Sequence, residues 1–333
     1  MINLGIIGTN WITHQFVEAA LATGKYQLAA VYSRRLETAQ EFGERYGDVE
    51  YAVDLPTFFG IAHLDTVYIA SPNSLHFEQA KAAILAGKNV IVEKPAFSTP
   101  KEMDEIIKLA NEKRVFFFEA ARNIHEKAFK TVADFLPLKD RILGADFSFS
   151  KYSSRYDLVL DGEEPNIFSP HFSGGALVDL GVYPIYAALA WFGMPKESHY
   201  FGNLISTGVD GLGIGVLRYD NFDVSIRTGK INDSYQKAEI YFDNGTLEMN
   251  AINSIDDAVF HDRNHKRKEK LSVHQLENPM VEEAEVFAQV LLNPEDRDLG
   301  LLYEEWVELA RNVNQVLYDM RKSAGIVFDA DEK

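Results

Sequence analysis

Short apolar runs alternate with stretches of helical periodicity over the first third of the chain. The run Ile2–Ile7 ends at a glycine, and residues 11–23 then repeat apolar side chains at the spacing of a helix. Strands that alternate with helices of this length predict a parallel, doubly wound sheet. The other predicted strands are 27–32, 50–52, 66–70, 88–92 and 115–118, and the other predicted helices are 36–46, 75–86 and 100–113.

A different pattern takes over in the second part of the chain. After an amphipathic helix at 125–136, aromatic and β-branched residues alternate with polar ones, which is typical of a sheet with one covered and one open face. Two further amphipathic helices are predicted at 278–292 and 301–321. We therefore predict domains at 1–122 and 123–333, with last helices that can pack back on the first domain. The predicted strands of the second domain are 143–152, 198–206, 213–219, 223–228, 237–242 and 245–250.

Composition narrows the class of protein. A chain of 333 residues suits two domains, and 46% hydrophobic with 25% charged residues is typical of a soluble globular protein. The net charge of -17 argues against binding to nucleic acid or to an anionic membrane. The absence of cysteine excludes disulfides, thiolate nucleophiles and cysteine-based metal sites. Because no signal-like N-terminus or apolar stretch of about 18 residues is evident, we expect a cytoplasmic protein without a membrane span.

The turn after the first strand carries part of a dinucleotide fingerprint. Of the glycines in G-x-G-x-x-G only Gly8 is present, and Asn10 and Thr13 replace the others. Asparagine is the next-best residue for a left-handed backbone. The turn predicts a pyrophosphate site at the helix N-terminus, and an ordinary tight turn is the alternative. The candidate cofactor-binding residues are Gly8, Thr9, Asn10, Trp11 and Ile12.

The end of the second strand indicates which dinucleotide is bound. An NAD site usually has an acid here for the ribose 2′-hydroxyl, but this chain has Ser33, Arg34 and Arg35 and no acid before Glu37. Arginine binds phosphate through two parallel hydrogen bonds. Two arginines at a helix start also oppose the helix dipole, so a simple solvated helix start is the weaker interpretation. We predict NADP rather than NAD.

Two more strand ends carry polar residues. Ser71, Pro72, Asn73 and His76 follow the fourth strand and are predicted to line the nicotinamide and its ribose; turn chemistry alone and a surface His76 are the alternatives. The fifth strand, VIV, ends in Glu93-Lys94-Pro95. Ligands bind at the carboxyl ends of strands in open α/β sheets, so this charged pair is a catalytic candidate. The alternative for Lys94 is a surface residue after a strand.

These motifs occur in the order of a known family. Gly8, the Ser-Pro-Asn-Ser-x-x-His turn, Glu-Lys-Pro and a later Gly-Gly-Ala-Leu-Val-Asp-Leu-Gly-Val-Tyr make the chain resemble the Gfo/Idh/MocA oxidoreductases over its whole length. That family includes glucose–fructose oxidoreductase, inositol dehydrogenase and dimeric dihydrodiol dehydrogenase. The resemblance implies an N-terminal α/β Rossmann domain and an α+β C-terminal domain with a large, mostly antiparallel open sheet. Subunits of the family often pair through that sheet, so we predict a homodimer or a larger homo-oligomer.

The resemblance also implies roles for the charged pair. It implies that Lys94 lies near the nicotinamide and the reacting carbon, with Glu93 toward the nicotinamide ribose. The family places cofactor- and substrate-facing groups after the last parallel strand, where this chain has Arg122; a carboxylate at the domain interface is the alternative partner of Arg122.

The later Gly-Gly motif leads into a second catalytic candidate. Asp179 and Tyr183 are four residues apart and face one side of a predicted helix. Many relatives carry histidine at position 183. A phenol needs help to lose its proton at neutral pH, and the Lys94 ammonium would supply it. The alternative is a structural Tyr–Asp hydrogen bond. His171 is a candidate for contact with the substrate, and a surface loop is its alternative.

We predict an NADP-dependent oxidoreductase that acts on a secondary alcohol of a small molecule, in the sugar, polyol or cyclic diol class. The catalytic residues are predicted to be Lys94, Asp179 and Tyr183, with Lys94, His171 and Tyr183 contacting the substrate. A non-catalytic dinucleotide-binding regulator is the alternative, since one fold can serve several functions. No metal is expected, because the histidines of the basic run 261–270 lack a third ligand type and suit a solvated hairpin or loop.

Overall fold

The computed structural model describes residues 1–332, which divide into two compact units. The first unit contains Met1–Arg122 and Glu277–Arg311. The second contains Asn123–Leu276 and the residues from Asn312 onward.

Six parallel strands form the sheet of the first unit. Beginning at one edge, their order is third, second, first, fourth, fifth and sixth. The order therefore reverses beside the first strand, and such a reversal is where open α/β sheets bind ligands. This confirms the predicted Rossmann-type sheet. The strands are β1 (Ile2–Ile7), β2 (Tyr26–Tyr32), β3 (Glu50–Ala52), β4 (Thr66–Ile69), β5 (Asn89–Glu93) and β6 (Phe117–Ala120), joined by α1 (Trp11–Ala22), α2 (Leu36–Gly43), α3 (Leu55–Phe59), α4 (His76–Leu85) and α5 (Pro100–Lys113).

The sixth strand lies later in the chain than the predicted 115–118. The backbone N–H of Phe116 donates to the side-chain oxygen of Asn89 at 2.9 Å, and that of Phe117 donates to the Tyr303 hydroxyl at 3.2 Å. Side chains thus satisfy these two amides, and the regular ladder with β5 begins at Phe117. As a result Glu119 is a strand residue, paired in register with Val92.

Eight strands form the sheet of the second unit, and only the pair β7–β10 is parallel. This confirms the predicted large, mostly antiparallel open sheet. The run at 261–270 lies in its last hairpin. In chain order the elements are α6 (Lys127–Phe135), β7 (Ile142–Ser150), α7 (Arg155–Leu160), α8 (Val182–Phe192), β8 (Glu197–Leu204), β9 (Asp210–Arg218), β10 (Asp223–Gly229), β11 (Ala238–Phe242), β12 (Gly245–Met249), β13 (Ala258–Asp262) and β14 (Arg267–Lys270).

One face of this second sheet is covered by helices. Buried and half-exposed positions alternate along β11, β12 and β13. Phe129 of α6 stacks on Trp191 of α8 with 4.5 Å between ring centroids, which joins the two covering helices. The stretch Pro170–Phe192 is long and apolar enough to cross a membrane, contrary to our expectation for the sequence, but 78% of its most apolar window is buried in the protein. Its apolar character is therefore that of a core helix.

The last two helices are α9 (Val281–Leu292) and α10 (Arg297–Ser323), and α9 belongs to the first unit. Phe287 of α9 stacks on Phe118 of β6 at 4.5 Å, and the Tyr26 hydroxyl donates to the Ala284 carbonyl at 2.8 Å. Helix α9 thus completes the core on which the first sheet rests. Helix α10 contributes residues up to Arg311 to the first unit and residues from Asn312 to the second.

Candidate active site

The turn after β1 requires glycine at its first position. Gly8 has a φ of +104°, and a Cβ added there would lie 2.6 Å from the carbonyl oxygen of Ala70. Both the positive φ and this close approach exclude a side chain. The backbone of the turn is therefore bare beside the carboxyl end of β4, as a pyrophosphate site needs.

Asn10 does not have the left-handed backbone that the sequence suggested. Its φ of -89° and ψ of 178° are extended, because it is the N-cap of α1. Its Oδ1 accepts hydrogen bonds from the backbone N–H groups of Ile12 (3.1 Å) and Thr13 (3.2 Å), and its Nδ2 donates to the Ala70 carbonyl at 3.1 Å. The Thr13 hydroxyl, fully buried, donates to the same Oδ1 at 3.3 Å. The two residues that replace glycines thus bind each other and join α1 to β4.

The two arginines after β2 are available to a ligand. Arg34 and Arg35 are exposed, and across residues 1–332 neither guanidinium has a hydrogen-bond or ion-pair partner. Arg35 is the N-cap residue of α2 and makes no side-chain cap. Two uncompensated cations therefore lie at the positive end of a helix. Together with the bare Gly8 turn, this arrangement fits a dinucleotide with a 2′-phosphate. Trp11, which follows the turn, is 73% exposed.

His76 is buried, not a helix-surface residue. Its Nε2 lies 2.7 Å from the Ser71 carbonyl oxygen, and its Nδ1 lies 3.3 Å from that of Pro95 and 3.2 Å from that of Ala96. Burial lowers the pKa of His76. The ring joins the Ser71–Pro72–Asn73 turn to the loop after β5, so any effect of His76 on cofactor binding acts through these two loops.

The carboxylate of Glu93 lies at the buried end of β5. It is 8% exposed, and its Oε1 accepts a hydrogen bond of 2.5 Å from the Tyr68 hydroxyl. The Tyr68 ring in turn stacks on Phe16 with 3.9 Å between centroids. Burial raises the pKa of Glu93, and the charge of Lys94, the Tyr68 hydrogen bond and the charge of Arg122 oppose that rise.

Lys94 is half-buried and is joined to Pro95 by a cis peptide bond. The loop that follows is fixed from two sides, by His76 and by Glu119. Glu119 Oε1 accepts a hydrogen bond from the Ala96 N–H at 2.9 Å. Sequence reasoning did not select Glu119, although its position directly after the predicted strand 115–118 was a usable signal.

In the second unit, the glycine pair before α8 lies in a tight turn. A Cβ at Gly174 would lie 2.6 Å from the Ile167 carbonyl oxygen, and one at Gly175, whose φ is +126°, would lie 2.3 Å from Asp210 Oδ1. Asp210 Oδ2 accepts hydrogen bonds from the Leu177 N–H and the Tyr200 hydroxyl, each 2.7 Å long. Burial raises the pKa of Asp210. A buried carboxylate thus fixes the start of the helical segment, and the sequence did not reveal it.

Asp179 and Tyr183 lie on this segment, but its first turn is not α-helical. Leu177–Gly181 is a π-helical turn that continues into α8, and such turns often occur at functional sites. Asp179 forms an ion pair with Lys230, a residue that sequence reasoning did not select. Tyr183 is half-buried, and its ring meets that of Phe149 edge-on at 5.5 Å. Its backbone carbonyl accepts a hydrogen bond from Asn123 Nδ2 at 3.5 Å.

His171 is exposed and contacts two acidic side chains. Its Nδ1 lies 2.7 Å from Asp329 Oδ2, and its Nε2 lies 3.9 Å from Glu164 Oε1. The hydrogen bond to Asp329 raises the pKa of His171. The loop before the Gly-Gly turn is thereby joined to the C-terminal segment.

The two histidines of the basic run contact different acids. His265 Nδ1 lies 2.6 Å from Asp262 Oδ2, and His261 Nε2 lies 3.6 Å from Glu248 Oε2. Across the described part of the chain, no three or more His, Asp or Glu side chains are grouped to hold a metal ion.

Known proteins resemble the chain over both units. The family described as "Oxidoreductase family, NAD-binding Rossmann fold" (GFO_IDH_MocA) matches residues 2–120, and its C-terminal domain matches residues 142–248. The uncharacterized oxidoreductase YgjR of Escherichia coli is 38% identical over 331 residues, which cover 99% of each chain. The scyllo-inositol 2-dehydrogenase (NADP(+)) IolU of Bacillus subtilis is 36% identical over 332 residues, which cover 100% of each chain.

A solved structure shows the same fold. KijD10, a 3-ketoreductase from Actinomadura kijaniata in complex with NADP and TDP-benzene, superposes with a TM-score of 0.82 at 25% identity, over 97% of each chain. These similarities confirm the predicted fold and the predicted class, an oxidoreductase. The chain therefore belongs to the Gfo/Idh/MocA family of oxidoreductases.

Proposed function

We propose that this chain is an NADP-dependent dehydrogenase or reductase that acts on a secondary alcohol of a sugar, polyol or cyclic diol. Within that range, we propose cyclic polyols as the substrates. Support for the polyol comes from the full-length relative named scyllo-inositol 2-dehydrogenase (NADP(+)). Support for NADP comes from the same name and from Arg34 and Arg35, which are exposed and have no partner among residues 1–332. Gly8, Thr9, Asn10, Trp11 and Ile12 are proposed to bind the pyrophosphate.

The catalytic proposal rests on one observation above all. Asp179 and Tyr183 lie on a helix start that the buried Asp210 fixes, so both side chains are presented from a rigid element. NADP supplies or accepts the hydride when it is bound. We propose that Tyr183 takes the hydroxyl proton as the phenolate during oxidation and returns it as the phenol during reduction, assisted by Lys94 and Asp179. Glu93, Ser71, Asn73 and Arg122 are proposed to face the cofactor, and His171 the substrate.

The first test is a substrate screen. Purified protein is mixed with NADP and a panel of inositols, aldoses and cyclic diols, and absorbance is followed at the nicotinamide band. We expect turnover with at least one cyclic polyol. Binding of NADPH without turnover of any panel member would favour the alternative, a non-catalytic dinucleotide-binding regulator.

The second test assigns the roles. We expect Lys94→Ala and Tyr183→Phe each to lower kcat by about 100-fold or more, because general acid–base groups contribute about 100- to 10,000-fold. Tyr241→Phe is the matched control, since the Tyr241 hydroxyl contacts Asp146 and Glu239 on strands of the second sheet. Near-normal turnover of either catalytic variant would remove that residue from the proposed mechanism.

We also propose a homodimer that pairs through the second sheet, located in the cytoplasm. Phe201 and Ile214 are cross-strand neighbours on that sheet and are 71% and 39% exposed. Exposed apolar pairs of this kind favour a protein–protein contact. Light scattering of the wild type and of Phe201→Lys tests the dimer, and cell fractionation tests the compartment; a monomeric wild type would refute the first proposal.

A further inference from the structure

We propose that Lys230 is a positioning residue for the reaction, and that its buried ammonium orients the carboxylate of Asp179 beside Tyr183. The inference rests on the proposed function, because it concerns the same catalytic segment. The pattern of the sequence gave no reason to select Lys230, which follows β10 and is 51 positions away from Asp179.

The burial of the two side chains is unequal. The Lys230 side chain is 3% exposed, while that of Asp179 is 24% exposed. An ammonium that leaves water needs a partner of opposite charge, and the Asp179 carboxylate provides it. Lys230 Nζ also lies 5.6 Å from the centre of the Phe168 ring. Lys230 is thus too deeply buried to contact a substrate, whereas Asp179 still reaches the surface.

The backbone of Lys230 is fixed on both sides. Its N–H donates to the Gly211 carbonyl at 2.7 Å, and its carbonyl accepts from the Ser153 N–H at 2.9 Å. The ammonium is therefore held at the end of β10, an interior strand between β7 and β9, and not on a mobile loop. A fixed backbone and a buried side chain together hold the ammonium, and with it the Asp179 carboxylate, in one place.

The strand before Lys230 also holds the π-helical turn. The Thr228 hydroxyl donates to the Ala176 carbonyl at 3.2 Å, and a Cβ at Gly181 would lie 3.3 Å from Thr228 Cγ2. Thr228 and Lys230 therefore contact the helical segment at three places: at Ala176 before Asp179, at Gly181 after it, and at Asp179 itself. Thr228 fixes the backbone of the π-helical turn, and Lys230 fixes the side chain of Asp179.

In this arrangement Lys230 affects the orientation of Asp179 but not the binding of NADP. Without the ammonium, the Asp179 carboxylate can rotate away from the geometry in which it assists Tyr183. A misplacement of about 1 Å can cost about 100-fold in rate even when the mutation is remote from the chemistry. The residues proposed to bind NADP all lie in the first unit, so the KM for NADP should not change.

The test compares Lys230→Met, Lys230→Arg, Asp179→Asn and the Lys230→Met/Asp179→Asn double variant. Steady-state kcat and KM are measured with NADP and the polyol found in the screen, and folding is checked by thermal unfolding. We expect Lys230→Met to lower kcat by about 100-fold at unchanged KM for NADP. Lys230→Arg should recover part of that loss, and the double variant should be no slower than Asp179→Asn alone.

Lys237→Met is the matched control, because Lys237 also forms an ion pair, with Glu248, but is 55% exposed. Its kcat should equal that of the wild type. A Lys230→Met protein with a lowered melting temperature and wild-type kcat would overturn the inference, as would a double variant whose loss is the product of the single losses. If Lys230→Met does not fold, the same comparison is made with Lys230→Arg and its double variant with Asp179→Asn.

Failure of the proposed function would look different. If the wild type binds NADPH but turns over no panel member, the function fails while the positioning of Asp179 can still be measured. The infrared carboxylate band of Asp179, identified by its loss in Asp179→Asn, should then shift in Lys230→Met and remain unchanged in Lys237→Met. An unshifted band in Lys230→Met would overturn the inference regardless of activity.

Discussion

Removal of both arginines after β2 should change the choice of cofactor. In the Arg34→Ala/Arg35→Ala variant, the 2′-phosphate of NADPH loses both cationic partners, while NADH, which has no such phosphate, loses none. A hydrogen bond to a charged group contributes about 1.5–3 kcal/mol. Both guanidiniums are exposed and screened by water, so each should contribute about 1.5 kcal/mol, the lower end of this range. The pair should therefore contribute about 3 kcal/mol. At 1.36 kcal/mol for each factor of ten, NADPH binding should weaken by about 100-fold.

Within the described residues neither guanidinium has a hydrogen-bond or ion-pair partner, so the loss should reflect contacts with the ligand and not a change in the fold. The assay is a fluorescence titration of the reduced nicotinamide with NADPH and with NADH, at low and at high salt. The wild-type preference for NADPH should shrink as salt rises.

Arg114→Asn is the control, since Arg114 has the same charge but lies at the C-terminal end of α5 in a left-handed conformation that asparagine tolerates. An equal loss of NADPH and NADH binding in the double variant, or no loss of NADPH binding, would refute the reasoning.

Three further predictions concern the supports of the site. Asp210→Asn should destabilise the protein by about 1–3 kcal/mol in urea unfolding and lower kcat, because it weakens the hydrogen bonds that fix Leu177; unchanged stability and kcat would contradict this role. Tyr68→Phe removes a donor from the buried Glu93, so it should cost about 1.5–3 kcal/mol above the folded-state pKa of Glu93 and less below it, where the carboxyl is protonated. The pKa of Glu93 is raised, so wild-type stability falls as pH rises from the unfolded pKa through the folded one, and unfolding of both proteins across this range is the measurement. The pKa of His171 is also raised, so its contact with Asp329 stabilises the protein below the unfolded pKa and is lost as pH rises through the folded pKa. The stability difference between wild type and His171→Ala should therefore shrink in alkali; a constant difference would exclude this ion pair as its source.

The sequence could predict whatever is local in the chain. The end of β5 showed Glu93 and Lys94 side by side, and the spacing of Asp179 and Tyr183 placed both on one helical segment. Each prediction needed only the repeat of a strand or helix and the identity of residues close together in the sequence. The two-sheet architecture followed in the same way, from alternating strands and helices in one half and alternating polar and apolar residues in the other.

The supports of these residues could not be predicted, because they come from distant parts of the chain. Asp210 is 33 positions from Leu177, and Lys230 is 51 positions from Asp179. Only the pairing of strands in the second sheet brings them together. The prediction for Asn10 failed for a different reason. Its place in the fingerprint, where glycine is usual, suggested a left-handed backbone. Its side chain can accept hydrogen bonds, however, and this made Asn10 the N-cap of α1.

The Asn10 cap has a consequence for the affinity of the turn for a dinucleotide. Because its side chain already binds the first amides of α1 and the end of β4, the loop is ordered before any dinucleotide arrives. A preformed loop loses little conformational entropy on binding, which favours affinity without additional contacts. A glycine at position 10 would bring the turn closer to the standard fingerprint. It would also make the turn more flexible, because glycine lacks the side chain that forms these hydrogen bonds. With Asn10 at this position, the proposed phosphate loop is rigid and not adaptable.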